Sequence, residues 1–359
     1  MEDKLIKVGL THGDINGIAY ELLLKTFSDP RMTEFCAPII YGSTKVAAYH
    51  RKALDFPQFS MTSINRPEES ENGHVHIINC ITDDAKVELS KATDYAASAA
   101  KQSLQAAVAD LKRGALDLLV TAPVSRQLKK EDKYPEEAGY IKEQWGDGTP
   151  FPIFLHDTLR ITPLTGDLRL AEAPAQLTLE GVVDKLQAFD RSLREDFNVE
   201  RPRIALLSLN PHAEGNEEDE ILRPAMEKVE KQGLLVFGPY AADDFFCSED
   251  YTLFDGIAAT YYEQALLSFK ELTGREGLCY TAGLPVVHTT TIHGAAYDIA
   301  GKGEASEASF RQAIYAALDI FRNRAAYKEA TRNPLRKQYF EKGAVEEKLD
   351  LTKEAYDEP

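Results

Sequence analysis

The alternation of helical and apolar extended segments is the feature that most restricts the fold of this chain. Residues Ala92 to Lys112 have the composition of a long helix, which Thr93 or Asp94 can cap and Gly114 can end. An apolar run from Leu116 to Val120 follows, and such a run is typical of a buried strand. Repetition of this unit predicts an α/β fold of βαβ units around a doubly wound sheet.

The same alternation continues along most of the chain. Further strands are predicted at Leu5 to Leu10, Pro38 to Gly42, His74 to Cys80, Ile153 to Leu155, Leu159 to Leu164, Arg203 to Leu207, Leu234 to Phe237 and Leu278 to His288. Further helices are predicted at Tyr20 to Phe27, Lys45 to Ala53, Leu179 to Phe197, Ile221 to Lys231 and Ala305 to Arg324. We expect a turn at Gly238-Pro239, a solvated face or mobile loop from Ser125 to Asp147, and a charged extension beyond about Asn333.

Two polar turns follow predicted strands and are candidates for a ligand site. Thr11 to Ile18 contains two glycines and resembles a phosphate-cradling loop, although it matches neither the Rossmann nor the Walker spacing. Leu207 to Asn216 contains an Asn-Pro pair and His212. Because open α/β sheets bind ligands beyond the carboxyl ends of their strands, we expect His212 to lie close to any site of chemistry.

Charge and composition restrict the partners. The 359 residues are enough for about two to three domain-sized units. The formal net charge of −17 argues against nucleic acid or an anionic membrane as partner, although a local pocket can still bind an anion. The four cysteines show no C-x-x-C spacing, which indicates neither a disulfide framework nor a zinc cluster. We find neither a signal-peptide pattern nor an apolar run of membrane-spanning length, so we expect a soluble cytoplasmic protein.

Several strand-end motifs occur in the order found in the 4-hydroxythreonine-4-phosphate dehydrogenase family of vitamin B6 biosynthesis. They are Gly13-Asp14-Ile15-Asn16-Gly17-Ile18-Ala19, Thr121-Ala122-Pro123, Leu209-Asn210-Pro211-His212-Ala213, Gly238-Pro239-Tyr240-Ala241-Ala242-Asp243, and His293 to Gly303. The chain resembles this family from about Val8 to Arg324.

The resemblance implies a two-lobed, three-layer αβα fold like that of isocitrate and isopropylmalate dehydrogenases. Residues 1–125 with 300–359 would form the first lobe and residues 126–299 the second, with the cleft between them. It also implies a homodimer whose sites use both subunits. NAD would accept hydride from a phosphorylated hydroxy-amino acid, 4-phosphooxy-L-threonine-like, and the β-keto acid formed would lose carbon dioxide on the way to pyridoxal phosphate. A divalent metal (zinc, magnesium, manganese or cobalt) would act as the Lewis acid.

The metal ligands that the resemblance implies are largely replaced in this chain. Of three family histidines, His212 is kept, and Asp167 stands in the position of the second. A carboxylate suits a hard cation such as magnesium or manganese. Tyr262 stands in the position of the third, although a phenol is a poor ligand near neutral pH. Glu263 is an alternative ligand there.

The substrate-binding residues that the resemblance implies are replaced as well. Gly139 and Tyr140 stand where the family has His and Thr, Cys279 where it has Asn, and His288 where it has Arg. Imidazole does not replace the bidentate clamp of an arginine. Lys270 is kept and can hold a phosphate or carboxylate, and we assign catalytic roles to Lys270 and Asp167. The resemblance places Asn210, Gly283, His293, Gly301 and Gly303 on the cofactor side.

Three hypotheses for function follow. The first is an NAD-dependent, metal-assisted dehydrogenase acting on a small anionic hydroxy acid. The second is a catalytically silent or re-purposed paralogue that acts as a binding or regulatory protein, because so many of the site residues differ. The third, which rests on fold-level analogy alone, is another chemistry such as phosphate acyl transfer.

Overall fold

A mixed sheet of twelve strands organises the part of the chain that the computed structural model describes, residues 5–56, 59–81, 85–130, 133–274 and 276–333. In chain order the strands are β1 (Lys7–Thr11), β2 (Ala37–Gly42), β3 (Thr62–Ile64), β4 (His76–Asn79), β5 (Leu118–Thr121), β6 (Phe151–His156), β7 (Leu159–Pro163), β8 (Arg203–Leu207), β9 (Leu235–Tyr240), β10 (Gly256–Ala259), β11 (Leu278–Ala282) and β12 (His288–Thr291). Their order across the sheet is β3-β4-β2-β1-β5-β12-β11-β6-β7-β10-β8-β9.

The two ends of this sheet run in opposite directions. Strands β3, β4, β2, β1, β5 and β12 are parallel to one another, and so are β7, β10, β8 and β9. Between them, β12, β11, β6 and β7 pair antiparallel. The prediction of one strand from Leu278 to His288 is therefore wrong, because this segment forms two strands that turn near Gly283.

Helices cover the sheet on both sides. They are α1 (Ala19–Phe27), α2 (Met32–Phe35), α3 (Thr44–Ala53), α4 (Asp94–Lys112), α5 (Arg126–Lys130), α6 (Glu137–Trp145), α7 (Ala173–Gln176), α8 (Leu179–Glu195), α9 (Arg223–Glu230), α10 (Ala242–Cys247), α11 (Tyr262–Leu272) and α12 (Ala308–Thr331). The helix predicted over Ala92 to Lys112 is confirmed, and Thr93 caps it by accepting a hydrogen bond from the backbone N–H of Ala96. A π-helical turn, Glu218–Leu222, precedes α9.

Alternation along the strands sends neighbouring side chains to opposite faces of the sheet. On the first face, Leu118 and Val120 of β5 belong to a long hydrophobic cluster with side chains of α1, α8, α9 and α12. On the second face, Leu119 packs with α4 and α6 in what we call the α4 cluster. Phe154 of β6 packs with α10 and α11 in a separate α11 cluster. The predicted three-layer α/β fold is confirmed, while its division into two lobes at the predicted boundaries stays a prediction.

The segment from Ser125 to Asp147 corrects the sequence-based expectation of a solvated face or mobile loop. Its described residues contain α5 and α6, and they bury the side chains of Leu128, Tyr134 and Ile141. These three side chains join the α4 cluster. The helices in this stretch are short and only one side of each is covered. Its few apolar positions are therefore difficult to recognise among the many charged residues of the sequence.

Two further expectations concern chain ends and turns. Gly238-Pro239 lies inside β9, with a cis peptide bond, and is not a turn between elements. The charged extension expected beyond about Asn333 lies outside the described residues. In the part of the chain that the structure describes, no helix has the length and apolar character needed to cross a membrane.

Candidate active site

Polar side chains occupy the middle of the second face, where the α4 cluster meets the α11 cluster. Cys279 and Thr281 of β11 alternate onto this face, and Cys279 pairs with Thr290 of β12 and with Phe154 of β6. His288 lies two residues before Thr290 on the same face. The structure thus places Cys279 and His288, two of the predicted substrate-binding residues, on the same face of the β11–β12 hairpin.

His288 is buried, and each of its two ring nitrogens has a hydrogen-bond partner. The hydroxyl of Thr121 lies 3.0 Å from its Nε2, and the hydroxyl of Thr281 lies 2.9 Å from its Nδ1. Burial lowers the pKa of His288 to about 4, with Glu137 opposing this shift and Lys129 adding to it. Near neutral pH the ring is therefore uncharged, so it cannot supply the positive charge of the arginine that it replaces.

A partly exposed ion pair joins α5 to α6, with the Lys129 side chain 36% exposed. Lys129 Nζ of α5 lies 2.7 Å from Glu137 Oε2 of α6, and the Glu137 side chain is only 6% exposed. Lys129 Nζ also lies 5.7 Å from the centre of the Tyr134 ring. The charge of Glu137 raises the pKa of Cys279 and opposes the lowering of the pKa of His288, and the charge of Lys129 has the opposite effect on both pKa values.

The sequence analysis did not single out Glu137, and it predicted substrate contacts at Gly139 and Tyr140 on the same helix. The side chain of Glu136 caps α6 by accepting a hydrogen bond from the backbone N–H of Gly139. Tyr140 is half-buried, and burial and Glu143 raise its pKa. Tyr134, Glu137 and Ile141 are spaced three and four residues apart, as on one face of a helix. This spacing is the signal in the sequence that could have indicated the position of Glu137. The roles of Gly139 and Tyr140 stay predictions.

Cys279 lies next to these charged groups. Burial raises the pKa of its thiol to about 12, and the carboxylates of Glu136 and Glu137 add to the shift while Lys129 opposes it. Since only a thiolate is a strong nucleophile, this thiol is inert near neutral pH. Its position suits packing or a weak hydrogen bond to a ligand, and its predicted substrate-binding role remains a prediction.

Tyr262 begins α11 and packs beside the same part of the sheet. The ring of Tyr262 contacts that of Phe154 edge-on, with 5.7 Å between ring centres. Burial raises the pKa of Tyr262, and nearby Cys279 and Asp167 raise it further, while Arg126 lowers it. Tyr262 therefore stays protonated near neutral pH. Asp167, the other predicted ligand whose charge raises this pKa, is exposed.

His212 lies on an exposed turn with left-handed backbone. Its φ is 64° and that of Ala213 is 54°. The fully buried side chain of Glu218 stabilises the turn, because it accepts hydrogen bonds from the backbone N–H groups of Leu209 and Asn210 at 2.9 Å. Asn210 Nδ2 donates to the same carboxylate at 2.8 Å. The predicted cofactor-side residue Asn210 thus orients the turn that carries His212.

The three predicted metal ligands do not fit a resident ion within a single chain. Among the residues that the structure describes, no three His, Cys, Asp or Glu side chains are grouped so that they could hold a metal. His212 is exposed, and Tyr262 is held in its protonated form, which is a poor ligand. We therefore derive no step through a metal, and the ligand roles of His212, Asp167 and Tyr262 stay predictions.

Three of the ordered motifs meet at the carboxyl ends of β1, β5 and β12. The backbone N–H of Asp14 donates to the carbonyl of Pro123, and that of Ile18 donates to the carbonyl of Ala295, both at 3.0 Å. Tyr297 donates to the buried Asp14 carboxylate at 2.6 Å. Loops far apart in the sequence therefore form one connected edge of the sheet, which is where parallel α/β sheets bind ligands.

The remaining predicted residues lie along this edge or at turns. His293 is half-buried, and burial lowers its pKa, with a smaller contribution in the same direction from the charge of Lys270. Gly301 and Gly303 have φ of 77° and 74°, and Gly283 has φ of 75°. The backbone explains glycine at these three positions, and their cofactor-binding roles stay predictions.

Comparison with known proteins places the chain in a family. Residues 34–317 match the family of the pyridoxal phosphate biosynthetic protein PdxA. The chain is 48% identical over 359 residues to a 4-hydroxythreonine-4-phosphate dehydrogenase of Bacteroides thetaiotaomicron, covering 98% of each chain. A solved structure of a putative 4-hydroxythreonine-4-phosphate dehydrogenase from Salmonella typhimurium superposes with a TM-score of 0.74 at 26% identity, covering 88% of this chain and 99% of that one. The ordered motifs, the sheet and these similarities agree, and the chain belongs to the PdxA family.

Proposed function

We propose that this chain is an NAD-dependent dehydrogenase of pyridoxal phosphate biosynthesis. It oxidises the secondary hydroxyl of a small hydroxy-amino acid of the 4-phosphooxy-L-threonine type, and the resulting β-keto acid loses carbon dioxide. The observation that carries this proposal is the 48% identity, over nearly the full length, to a protein named 4-hydroxythreonine-4-phosphate dehydrogenase. By its family the chain is an oxidoreductase.

The proposal includes the parts of the site. The edge formed by Asp14, Pro123 and Ala295 is the proposed cofactor side, and NAD bound there would accept the hydride. Lys270, whose charge contributes to the lowered pKa of His293, is the proposed contact for an anionic group of the substrate. We extend the proposal to a homodimer whose sites use both subunits, with lobes at residues 1–125 with 300–359 and 126–299, and to a cytoplasmic location.

A second candidate function is a re-purposed paralogue that binds a ligand without oxidising it. Two observations favour it. The described residues do not group three metal-type donors, and the ring that replaces the family arginine, His288, is neutral near pH 7. Such a protein would keep the fold and a ligand pocket while lacking the Lewis acid that polarises the hydroxyl.

A turnover assay separates the two functions. The full-length protein is incubated with NAD and 4-phosphooxy-L-threonine, with magnesium, manganese, zinc or cobalt in turn and with a chelator, and NADH is followed by absorbance. We expect NADH formation, and a loss of at least about tenfold in kcat/KM in Lys270→Met, since a charged contact is removed. Lys142→Met, on the exposed side of α6, is the matched control.

Two results of these assays would contradict parts of the proposal. If no metal condition yields NADH while calorimetry shows that NAD or the substrate binds, the dehydrogenase proposal is wrong and the binding function is favoured. If Lys142→Met reduces kcat/KM as much as Lys270→Met does, the proposal that Lys270 contacts the substrate is wrong.

A further inference from the structure

We infer that Lys25 and Glu21 of α1 are positioning residues for the cofactor. They set the affinity for NAD by fixing the residues from Gly301 to Ala305, which we call the cofactor segment, and neither side chain contacts NAD itself. This inference rests on the proposed function, because the proposed cofactor side includes Ala295 and, by the family resemblance, the glycines of the cofactor segment.

The hydrogen bonds of Lys25 are the first argument. Its Nζ donates to the carbonyl oxygens of Gly303 at 2.7 Å and of Ala305 at 2.6 Å, and it lies 2.9 Å from Glu21 Oε1. An ammonium group has three N–H donors, and these three contacts use all of them. Any effect of Lys25 on a ligand therefore passes through the backbone that it holds.

The burial of Glu21 is the second argument. Its side chain is 1% exposed, and its Oε1 also accepts a hydrogen bond from the backbone N–H of Ala305 at 2.8 Å. Both the N–H and the carbonyl of Ala305 are thus bonded to α1, although Ala305 follows Glu21 by 284 residues. Because the carboxylate is shielded from water, its attraction to Lys25 is weakly screened, and the pair holds Ala305 in one position.

The backbone of the cofactor segment is the third argument. Gly301 and Gly303 have left-handed φ values of 77° and 74°. Residues 297–303 form turns, and no helix or strand begins before Ala308. Glycine has more conformational freedom than any other residue, and a segment outside helices and strands has few backbone hydrogen bonds of its own to restrict it. The contacts with Lys25 and Glu21 therefore supply order that the local sequence does not.

The other end of the cofactor side, near Ala295, is held by different groups. The backbone N–H of Ile18 donates to the carbonyl of Ala295 at 3.0 Å, and the hydroxyl of Tyr297 donates to Asp14 at 2.6 Å. These two contacts do not involve α1 side chains. Removal of Lys25 should therefore release the cofactor segment and leave the end near Ala295 in place.

Removing the donors of Lys25 tests the inference. Lys25→Met keeps an unbranched side chain but cannot bond the two carbonyls. Isothermal calorimetry measures NAD binding to the full-length protein without any need for turnover. We expect the Kd for NAD to rise about fivefold or more, because the cofactor segment then adopts its binding-competent arrangement only part of the time. In the turnover assay the KM for NAD should rise by a similar factor, with kcat changed less than about twofold.

A second variant protects this test against a general loss of folding. Lys25→Met leaves Glu21 as a buried carboxylate without its cation, which destabilises a folded protein. The double variant Glu21→Gln with Lys25→Met removes that charge, while the amide oxygen can still accept from the backbone of Ala305. The raised Kd for NAD should persist in the double variant, and thermal unfolding shows that it remains folded.

Two control variants separate positioning from stability and from loss of charge. Arg324→Met breaks a buried ion pair about 24 Å along α12 from its first residue, so it should lower stability without changing the Kd for NAD. Lys228→Met removes an ion pair with Glu180 in which the side chains are 43% and 69% exposed, and it should change neither quantity by much.

The outcomes distinguish this inference from the proposed function. If the Kd for NAD rises in neither Lys25 variant, or rises in Lys25→Met alone, the inference is overturned even if the protein forms NADH. An equal rise in Arg324→Met also overturns it, since lost stability would then be the cause. NAD binding without NADH formation rejects the dehydrogenase function and leaves the comparison of Kd values decisive. Absence of NAD binding to the unmodified protein rejects both.

Discussion

His288 and Thr281 meet across the β11–β12 hairpin, with the threonine hydroxyl 2.9 Å from Nδ1 of the imidazole. The ring is buried and its pKa is lowered to about 4. In the unfolded chain the ring binds a proton near its ordinary pKa of about 6.5. Between these values the unfolded state holds more protons, so the contribution of His288 to stability is complete above about pH 6.5 and is lost as the pH falls toward 4.

This relationship predicts a pH-dependent stability. From about pH 7.5 to about pH 5, His288 should cost the folded protein about 2 kcal/mol of unfolding free energy. Urea unfolding at the two pH values measures this change, and His288→Gln should reduce it by that amount. His74→Gln, at an exposed histidine, is the control. Equal pH dependence in His288→Gln and the unmodified protein would contradict the prediction.

A buried ion pair joins the last helix to the rest of the molecule. Arg324 of α12 donates to Asp196 at 2.6 Å and to the hydroxyl of Tyr280 at 2.6 Å, and the Asp196 side chain is 3% exposed. Arg324→Met leaves that carboxylate buried without its cation, which should cost about 3 kcal/mol of unfolding free energy. Urea unfolding is the measurement.

The matched control for this pair lies two residues earlier on the same helix. Arg322 pairs with Asp319 on the surface, where the two side chains are 54% and 71% exposed. Arg322→Met should therefore change the unfolding free energy by less than about 1 kcal/mol. Similar losses in both variants would show that helix α12 tolerates no change here and that burial of the pair is not the cause.

The turn between β11 and β12 requires glycine at position 283. Its φ is 75°, and a Cβ there would lie 2.3 Å from the carbonyl oxygen of Thr149. Gly283→Ala should lower the unfolding free energy by about 2 kcal/mol or more, since strain and overlap add. Gly274→Ala has a similar φ of 60° but open space around it, so it should cost only about 1 kcal/mol. Equal losses of unfolding free energy in the two variants would mean that the backbone at Thr149 moves freely to accommodate the added Cβ.

Glu218 should control the order of the turn that carries His212. Its carboxylate accepts three hydrogen bonds, from the backbone of Leu209 and Asn210 and from the side chain of Asn210. Glu218→Gln replaces one acceptor oxygen with a donor, which should cost about 1–3 kcal/mol locally. Hydrogen exchange of residues 209–213 should accelerate, whereas Glu220→Gln, at an exposed position, should leave it unchanged. Unchanged exchange in Glu218→Gln would show that other contacts hold the turn.

Local features of the sequence were sufficient for most elements and for the family. The cap at Thr93, the apolar run of β5 and each glycine or proline motif depend on residues within a few positions of each other. These features predicted the three-layer α/β fold, which is confirmed, and the family, which the comparisons confirm.

Only the tertiary structure decided how distant segments meet. The opposite directions of the two ends of the sheet, and the hairpin near Gly283, depend on pairings between strands that apolar periodicity does not specify. The burial of Glu137 depends on which side of a short, charged helix packs into the α4 cluster. The sequence does not show whether the partner of a carboxylate is water or a lysine, because the packing of the folded chain determines where water is excluded.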